Sequence, residues 1–107
     1  MTTKTFRPAT DREDAIRLSR TRAQDFSSFC CAGLEEAAKD TLEAFKEVYS
    51  SLGEEEAGRA SWYCREFNQG LIEEWDWFYF KNLASDLVDE VLDRYPRPEI
   101  LPMGLRK

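Results

Sequence analysis

Residues 34–52, LEEAAKDTLEAFKEVYSSL, carry the clearest structural signal in the chain. Leu34, Ala37, Ala38, Thr41, Leu42, Phe45, Val48, Tyr49 and Leu52 recur at i, i+3, i+4 and i+7, the spacing that gathers apolar side chains on one face of a helix. The segment predicts a helix with one buried face and an exposed line of Glu36, Asp40, Glu43 and Glu47. Gly53 follows as the expected left-handed C-terminal cap.

Upstream, Thr10-Asp11-Arg12-Glu13 fits a capping box, so a first helix is expected from Thr10. Ala15, Leu18, Ala23, Phe26 and Phe29 or Cys30 form its apolar stripe, ringed by Arg12, Arg17, Arg20 and Arg22, and Gly33 ends it. Downstream, Ala57, Ala60, Cys64, Phe67, Leu71, Trp75 and Phe78 keep helical spacing behind the cluster Glu54-Glu55-Glu56, whose charge suits a helix N-terminus. Gly70 inside this run marks a kink or a close helix contact. Residues 75–80, WDWFYF, would also suit a strand, but no matching partner strand exists elsewhere and helix is the preferred reading. A last helix is expected with Asn82 or Ser85 as cap, Leu87, Val88, Val91, Leu92 and Tyr95 inward, and Asp86, Asp89, Glu90 and Asp93 outward. Pro96 and Pro98 stop it.

The expected fold class is all-α, a compact bundle of about four helices joined by short connections. A polar arm at 1–9, a helical body at 10–95 and an extended, Pro-containing tail at 96–107 make one domain. In that tail Ile100, Leu101, Met103 and Leu105 are available to dock on a surface. A chain of 107 residues builds only a modest core, but seven Phe, four Tyr and three Trp supply large apolar area to it. No apolar run is long enough to span a bilayer, and Met1 to Ala15 lacks the apolar stretch of a secretory signal. A cytoplasmic protein is the expectation. Cys30, Cys31 and Cys64 are an odd set without CxxC spacing, better suited to a reducing compartment than to a disulfide framework.

The chemistry excluded is extensive. The chain has no histidine, the commonest general base and metal ligand. Three cysteines without ligand spacing do not make a zinc site, and the glycines are isolated, so no phosphate-cradling loop exists. A carboxylate magnesium site built from Glu66, Glu73 and Asp76 is the one metal arrangement left, and such carboxylates at helical spacing ordinarily form a solvated face. Neither catalytic residues nor a cofactor nor a metal is expected.

Charge is segregated: Leu34 to Tyr95 holds sixteen acidic against six basic residues, a net of −10, whereas each flanking segment carries +2. The acidic body repels nucleic acid and anionic membranes and is attracted to surfaces that hold phosphate backbones. Like charges at i, i+4 destabilise a helix by about 0.2–0.5 kcal/mol per pair, so the two carboxylate lines either serve binding or simply keep the protein soluble. The basic residues Arg7, Arg12, Arg17, Arg20 and Arg22 either pair with the acidic helices or bind phosphate. The aromatics Trp62, Tyr63, Trp75, Trp77, Phe78, Tyr79 and Phe80 exceed what one helix face hides, so some are expected at the surface or in a homodimer interface.

The lines Glu36, Asp40, Glu43, Glu47 and Asp86, Asp89, Glu90, Asp93, with the segment Glu73 to Tyr95 in which aromatics give way to an acidic amphipathic helix, resemble a class of small phage-encoded inhibitors of bacterial defence. The class comprises the acidic anti-CRISPR proteins and the DNA-mimic anti-restriction proteins; the basic N-terminal arm departs from a full DNA mimic. The resemblance implies stoichiometric, non-catalytic inhibition of a partner protein through its basic, nucleic-acid-binding surface. Partner-binding residues would be those eight carboxylates together with Trp75, Trp77 and Tyr79. The alternative is a helical adaptor or regulatory subunit whose aromatic patch binds a protein partner while the acidic face is only solvated. A DNA-binding regulator using Arg7 to Arg22 is disfavoured by the net charge of −6.

Overall fold

Four helices account for the secondary structure of residues 6–97, the part of the chain that the structure, a computed structural model, describes: α1 Arg12–Ala32, α2 Glu35–Ser50, α3 Glu54–Ile72 and α4 Trp77–Arg94. The fold is all-α, with no strand among the described residues, and no helix in them is long and apolar enough to cross a membrane. The expected docking of Ile100, Leu101, Met103 and Leu105 lies outside the described residues.

Helix α2 buries the face its periodicity marks, with Ala38, Leu42, Phe45 and Tyr49 almost wholly enclosed. It packs on α1 and α3; α4 packs on α1 and, over the narrowest contact, on α3. This leaves α2 and α4 on opposite corners of the bundle. The α1–α3 diagonal is bridged by Phe26 of α1, edge-on to Phe67 of α3 at 5.3 Å, and Phe67 in turn lies edge-on to Phe80 of the adjacent α4 at 5.1 Å. Each such phenyl removed from water contributes about 1.5–3 kcal/mol, so three fully buried rings form much of the centre.

The helix ends correct three expectations. Helix α1 is capped by Asp11, which accepts from the Asp14 amide at 2.9 Å, and not by Thr10. The pattern is shifted by one residue because Asp14 is the buried carboxylate. It accepts the Thr10 amide at 3.0 Å and both Arg7 guanidinium nitrogens at 2.6 and 2.8 Å, and Arg17 donates to it as well. Gly53 does not close α2 in a left-handed turn; its extended backbone instead leads into α3, whose first turn is Glu54-Glu55-Glu56. The third correction is the largest. The helix that begins at Glu54 stops at Ile72, and α4 starts at Trp77 with Asp76 as cap, so Asn82 and Ser85 lie inside a helix and cap nothing.

The break between α3 and α4 has a defined cause. Trp75 N–H bonds the Gly70 carbonyl at 2.9 Å and Glu74 N–H bonds that of Leu71, with Glu74 in the left-handed region at φ 58°. This is the bond pattern that usually places glycine at the left-handed position. Gly33 fills the same role after α1, at φ 69°. Gly70 makes the close contact expected of it: a Cβ there would stand 2.6 Å from the Trp75 ring and 2.8 Å from the Phe80 ring.

The arginines of the basic arm bond within the chain, with Arg22 buried and Arg7, Arg12 and Arg17 exposed. Arg22, expected around the outside of α1, is buried and donates to the Ala44 carbonyl at 3.0 Å and the Arg7 carbonyl at 2.7 Å. Arg12 donates to the Leu52 carbonyl after α2, and Arg20 to that of Tyr95 after α4, at 3.1 and 2.9 Å. Arg12 and Arg20 thus satisfy carbonyls just past the ends of α2 and α4. All five, Arg7, Arg12, Arg17, Arg20 and Arg22, have partners within the chain.

Candidate interaction surface

The outer face of α4 is where exposed aromatic and acidic side chains meet. At about 100° per residue, Phe78, Tyr79, Asn82, Asp86, Asp89 and Asp93 fall within an arc of roughly 100°. All six are exposed, whereas Phe80, Ala84, Leu87 and Val91 on the opposite arc are buried. Rings occupy the N-terminal end of the face and carboxylates the rest. Asp86, Asp89 and Asp93 make no ion pair or side-chain hydrogen bond among the described residues. Lys81 flanks this arc, about 60° beyond Phe78.

Glu90, the fourth carboxylate expected on this line, is turned towards α3. It accepts from Arg59 Nε and Nη2 at 2.8 and 2.9 Å and from the Tyr63 hydroxyl at 3.0 Å. The Arg59 guanidinium holds its carboxyl below the usual range, while burial pushes the Tyr63 phenol up to about 12. Arg59 also lies over the Trp62 and Tyr63 rings, 5.0 and 5.4 Å from their centres. Farther along, Arg94 bonds Glu55 at 3.0 Å, and the Tyr95 hydroxyl donates to the buried Glu56. These bonds hold α4 to α3 where apolar contact is thin, so Glu90 is a structural residue.

The second acidic line lies elsewhere. Glu36, Asp40, Glu43 and Glu47 share an arc of roughly 60° on α2, with Asp40 half-buried and the others exposed. Lys39 and Lys46 run beside them on the same helix, reducing the strip's net charge. Because α2 and α4 are diagonal, their outward faces point away from each other. The two lines cannot engage one flat surface together.

The aromatic residues divide. Trp75 packs on Phe80 and Tyr79, with ring centres 6.1 and 6.4 Å apart, and Trp77 packs on Phe80 at 4.7 Å. Both are half-buried and close the end of the core. Tyr79 is 60% exposed, and it is joined by Phe78 at 58% and Ile72 at 76%. Ile72 and Phe78 were not expected in the site. The signal that reveals them is the helix break, because only a helix restarted at Trp77 turns Phe78 outward.

No family model matches the chain, and neither a curated protein nor a solved structure matches it.

All three cysteines are free thiols; burial pushes the Cys30 thiol up to about 12 and raises Cys64 as well, away from the nucleophilic thiolate. Glu66, Glu73 and Asp76 do not converge on a metal position, and no group of three potential ligands is arranged to hold one among the described residues. Glu73 instead accepts from the Trp75 indole at 3.0 Å and from Gln69.

Proposed function

We propose that this protein is a non-catalytic binding protein whose α4 outer face engages the basic, nucleic-acid-holding surface of a partner protein and competes with nucleic acid there. The observation that carries the reading is the line Asp86, Asp89 and Asp93, exposed and without a cationic partner, on a helix whose other carboxylate is already paired. From Asp86 to Asp93 the three charges span about 10.5 Å of helix axis, a mean spacing of about 5 Å, comparable with about 3.4 Å for one DNA strand. Such a strip suits Arg and Lys side chains spaced for phosphates. This is also the mode implied by the resemblance to anti-CRISPR and anti-restriction inhibitors.

The exposed rings favour a second reading, an adaptor held through Ile72, Phe78 and Tyr79 with the aspartates only solvated. Ionic strength separates the two. Binding through the aspartates should weaken strongly between about 50 and 200 mM salt, whereas an apolar interface should change little. A salt titration of the complex with a nucleic-acid-binding partner, repeated with Asp86→Lys, Asp89→Lys and Asp93→Lys combined, tests the proposal; salt-independent binding that survives the substitutions favours the adaptor.

A further inference from the structure

The corner between α3 and α4 presents an apolar surface with an acidic rim, and we infer that it is a docking site for a cationic amphipathic helix of a partner protein. The inference goes beyond competition with nucleic acid and stands on the corner alone. Among the described residues the exposed large hydrophobics are Leu34, Ile72, Phe78 and Tyr79, and three of these four fall within residues 72–79. Exposed apolar side chains scattered singly need no explanation; concentration at one turn does.

The rim specifies the partner's charge. Glu73, Glu74 and Asp76 are all exposed within this turn. The nearest cations in sequence are Arg65, two turns back along α3, and Lys81, on the flank of α4. An occupant must therefore bring apolar anchors for Ile72, Phe78 and Tyr79 together with Lys or Arg for the rim. The neighbouring rings are suited to cations as well, since indole and phenol faces attract ammonium and guanidinium groups. Glu73 is already fixed by the Trp75 indole and Gln69, which lowers the ordering cost of binding.

The residue at position 74 agrees with this assignment. A left-handed C-terminal position favours glycine, and the negative end of a helix favours cations, yet Glu74 occupies it at φ 58°. Its carboxylate is kept where local structure disfavours it twice.

A second copy of the chain is the poorer occupant. Two-fold pairing through this patch would set Glu73, Glu74 and Asp76 against their own copies, and like charges across an interface are costly. Nor is the copy's basic arm free to neutralise them, because Arg7, Arg12, Arg17, Arg20 and Arg22 all have acceptors within the chain.

Fluorescence anisotropy of a labelled synthetic amphipathic helix of Leu and Lys, titrated with the full chain, tests the inference. The controls are the Leu/Glu counterpart and a Lys/Ser peptide lacking the apolar face. The Leu/Lys helix should bind and the controls should not. Phe78→Ser with Tyr79→Ser should weaken binding at least about tenfold, and Glu73→Gln with Glu74→Gln should weaken it and flatten its salt dependence. Glu54→Gln, in the first turn of α3 and about 27 Å along that helix from Ile72, should leave binding unchanged. Should the double aromatic variant lose helical content, Ile72→Ser supplies the same comparison. Binding that survives the aromatic substitutions, or equal binding by the Lys/Ser peptide, overturns the inference. So does a dimer in sedimentation that the aromatic substitutions disperse, since a second copy would then be the occupant.

Discussion

Replacing Gly70 by Ala tests the packing that creates the α3–α4 corner. In an open helical position this change should stabilise by about 1 kcal/mol, because alanine loses less backbone freedom on folding. At Gly70 the added methyl would lie 2.6 Å from Trp75 Cε3 and 2.8 and 2.9 Å from Phe80 Cε1 and Cζ. Phe80 is only 1% exposed and wedged among Phe67, Trp75 and Trp77, so it has little room to withdraw. Overpacking of this kind costs about 1–3 kcal/mol, which exceeds the propensity gain. Gly58, in the same helix, is the internal control, since nothing lies within 4 Å of its added Cβ. Thermal unfolding followed by circular dichroism should place Gly70→Ala below the parent and Gly58→Ala above it, by about 4–8 °C per kcal/mol for a domain near this size. A Gly70→Ala protein as stable as the parent would refute the seating of Trp75 and Phe80 against α3.

Three further outcomes are expected. Phe45→Ala, at a wholly buried position, should cost about 3–5 kcal/mol in urea unfolding, a large part of the stability of a small domain. Glu74→Gly should raise stability by about 1 kcal/mol by removing the side chain from a left-handed residue, while weakening the Leu/Lys helix in the binding assay. Asp14 is held well below the usual carboxylate range, first by the Arg7 hydrogen bonds and then by the Thr10 amide. Its contribution to stability is therefore fully present above its unfolded pKa of about 4 and is lost as pH falls through the lower folded value. Asp14→Asn should be less stable than the parent at neutral pH, with the gap in denaturant midpoint closing under acid; a constant gap would contradict the assignment.

Helix α2 was legible because its apolar positions follow the helical period without interruption and their burial needs no distant information. The α3–α4 break was not. Apolar spacing from Ala57 to Phe78 runs straight through it, and the turn is built with Glu74 where a glycine would have announced it. The dense aromatics on both sides keep any register looking apolar. Glu90 was misplaced for another reason: its partner Arg59 lies 31 residues away on a different helix, beyond any local pattern. Arg22 escaped recognition as a buried residue because it is satisfied by the Ala44 and Arg7 carbonyls, which a count of opposite charges does not register. The charge segregation was real in the sequence, yet its basic part is spent on internal contacts. Of the expected site residues, Asp86, Asp89, Asp93 and Tyr79 come together on one exposed face, while Glu36, Asp40, Glu43 and Glu47 stand on the opposite corner.

The most direct measurement is displacement of labelled nucleic acid from its protein complex by the parent chain and by two charge-reversed variants. The panel of complexes would be CRISPR effectors and restriction enzymes, which hold nucleic acid on basic surfaces of the kind proposed for the partner. One variant carries Asp86→Lys, Asp89→Lys and Asp93→Lys; the other carries Glu36→Lys, Asp40→Lys, Glu43→Lys and Glu47→Lys. Six of the seven reversed charges are exposed and add little to stability, so the α4 variant should keep the parent's helical content and the α2 variant should lose at most what the half-buried Asp40 contributes. The account predicts that the parent displaces nucleic acid from a member of the panel, that the α4 variant does not, and that the α2 variant still does. Displacement by the α4 variant as effective as the parent's, or none by the parent from any complex, would contradict it.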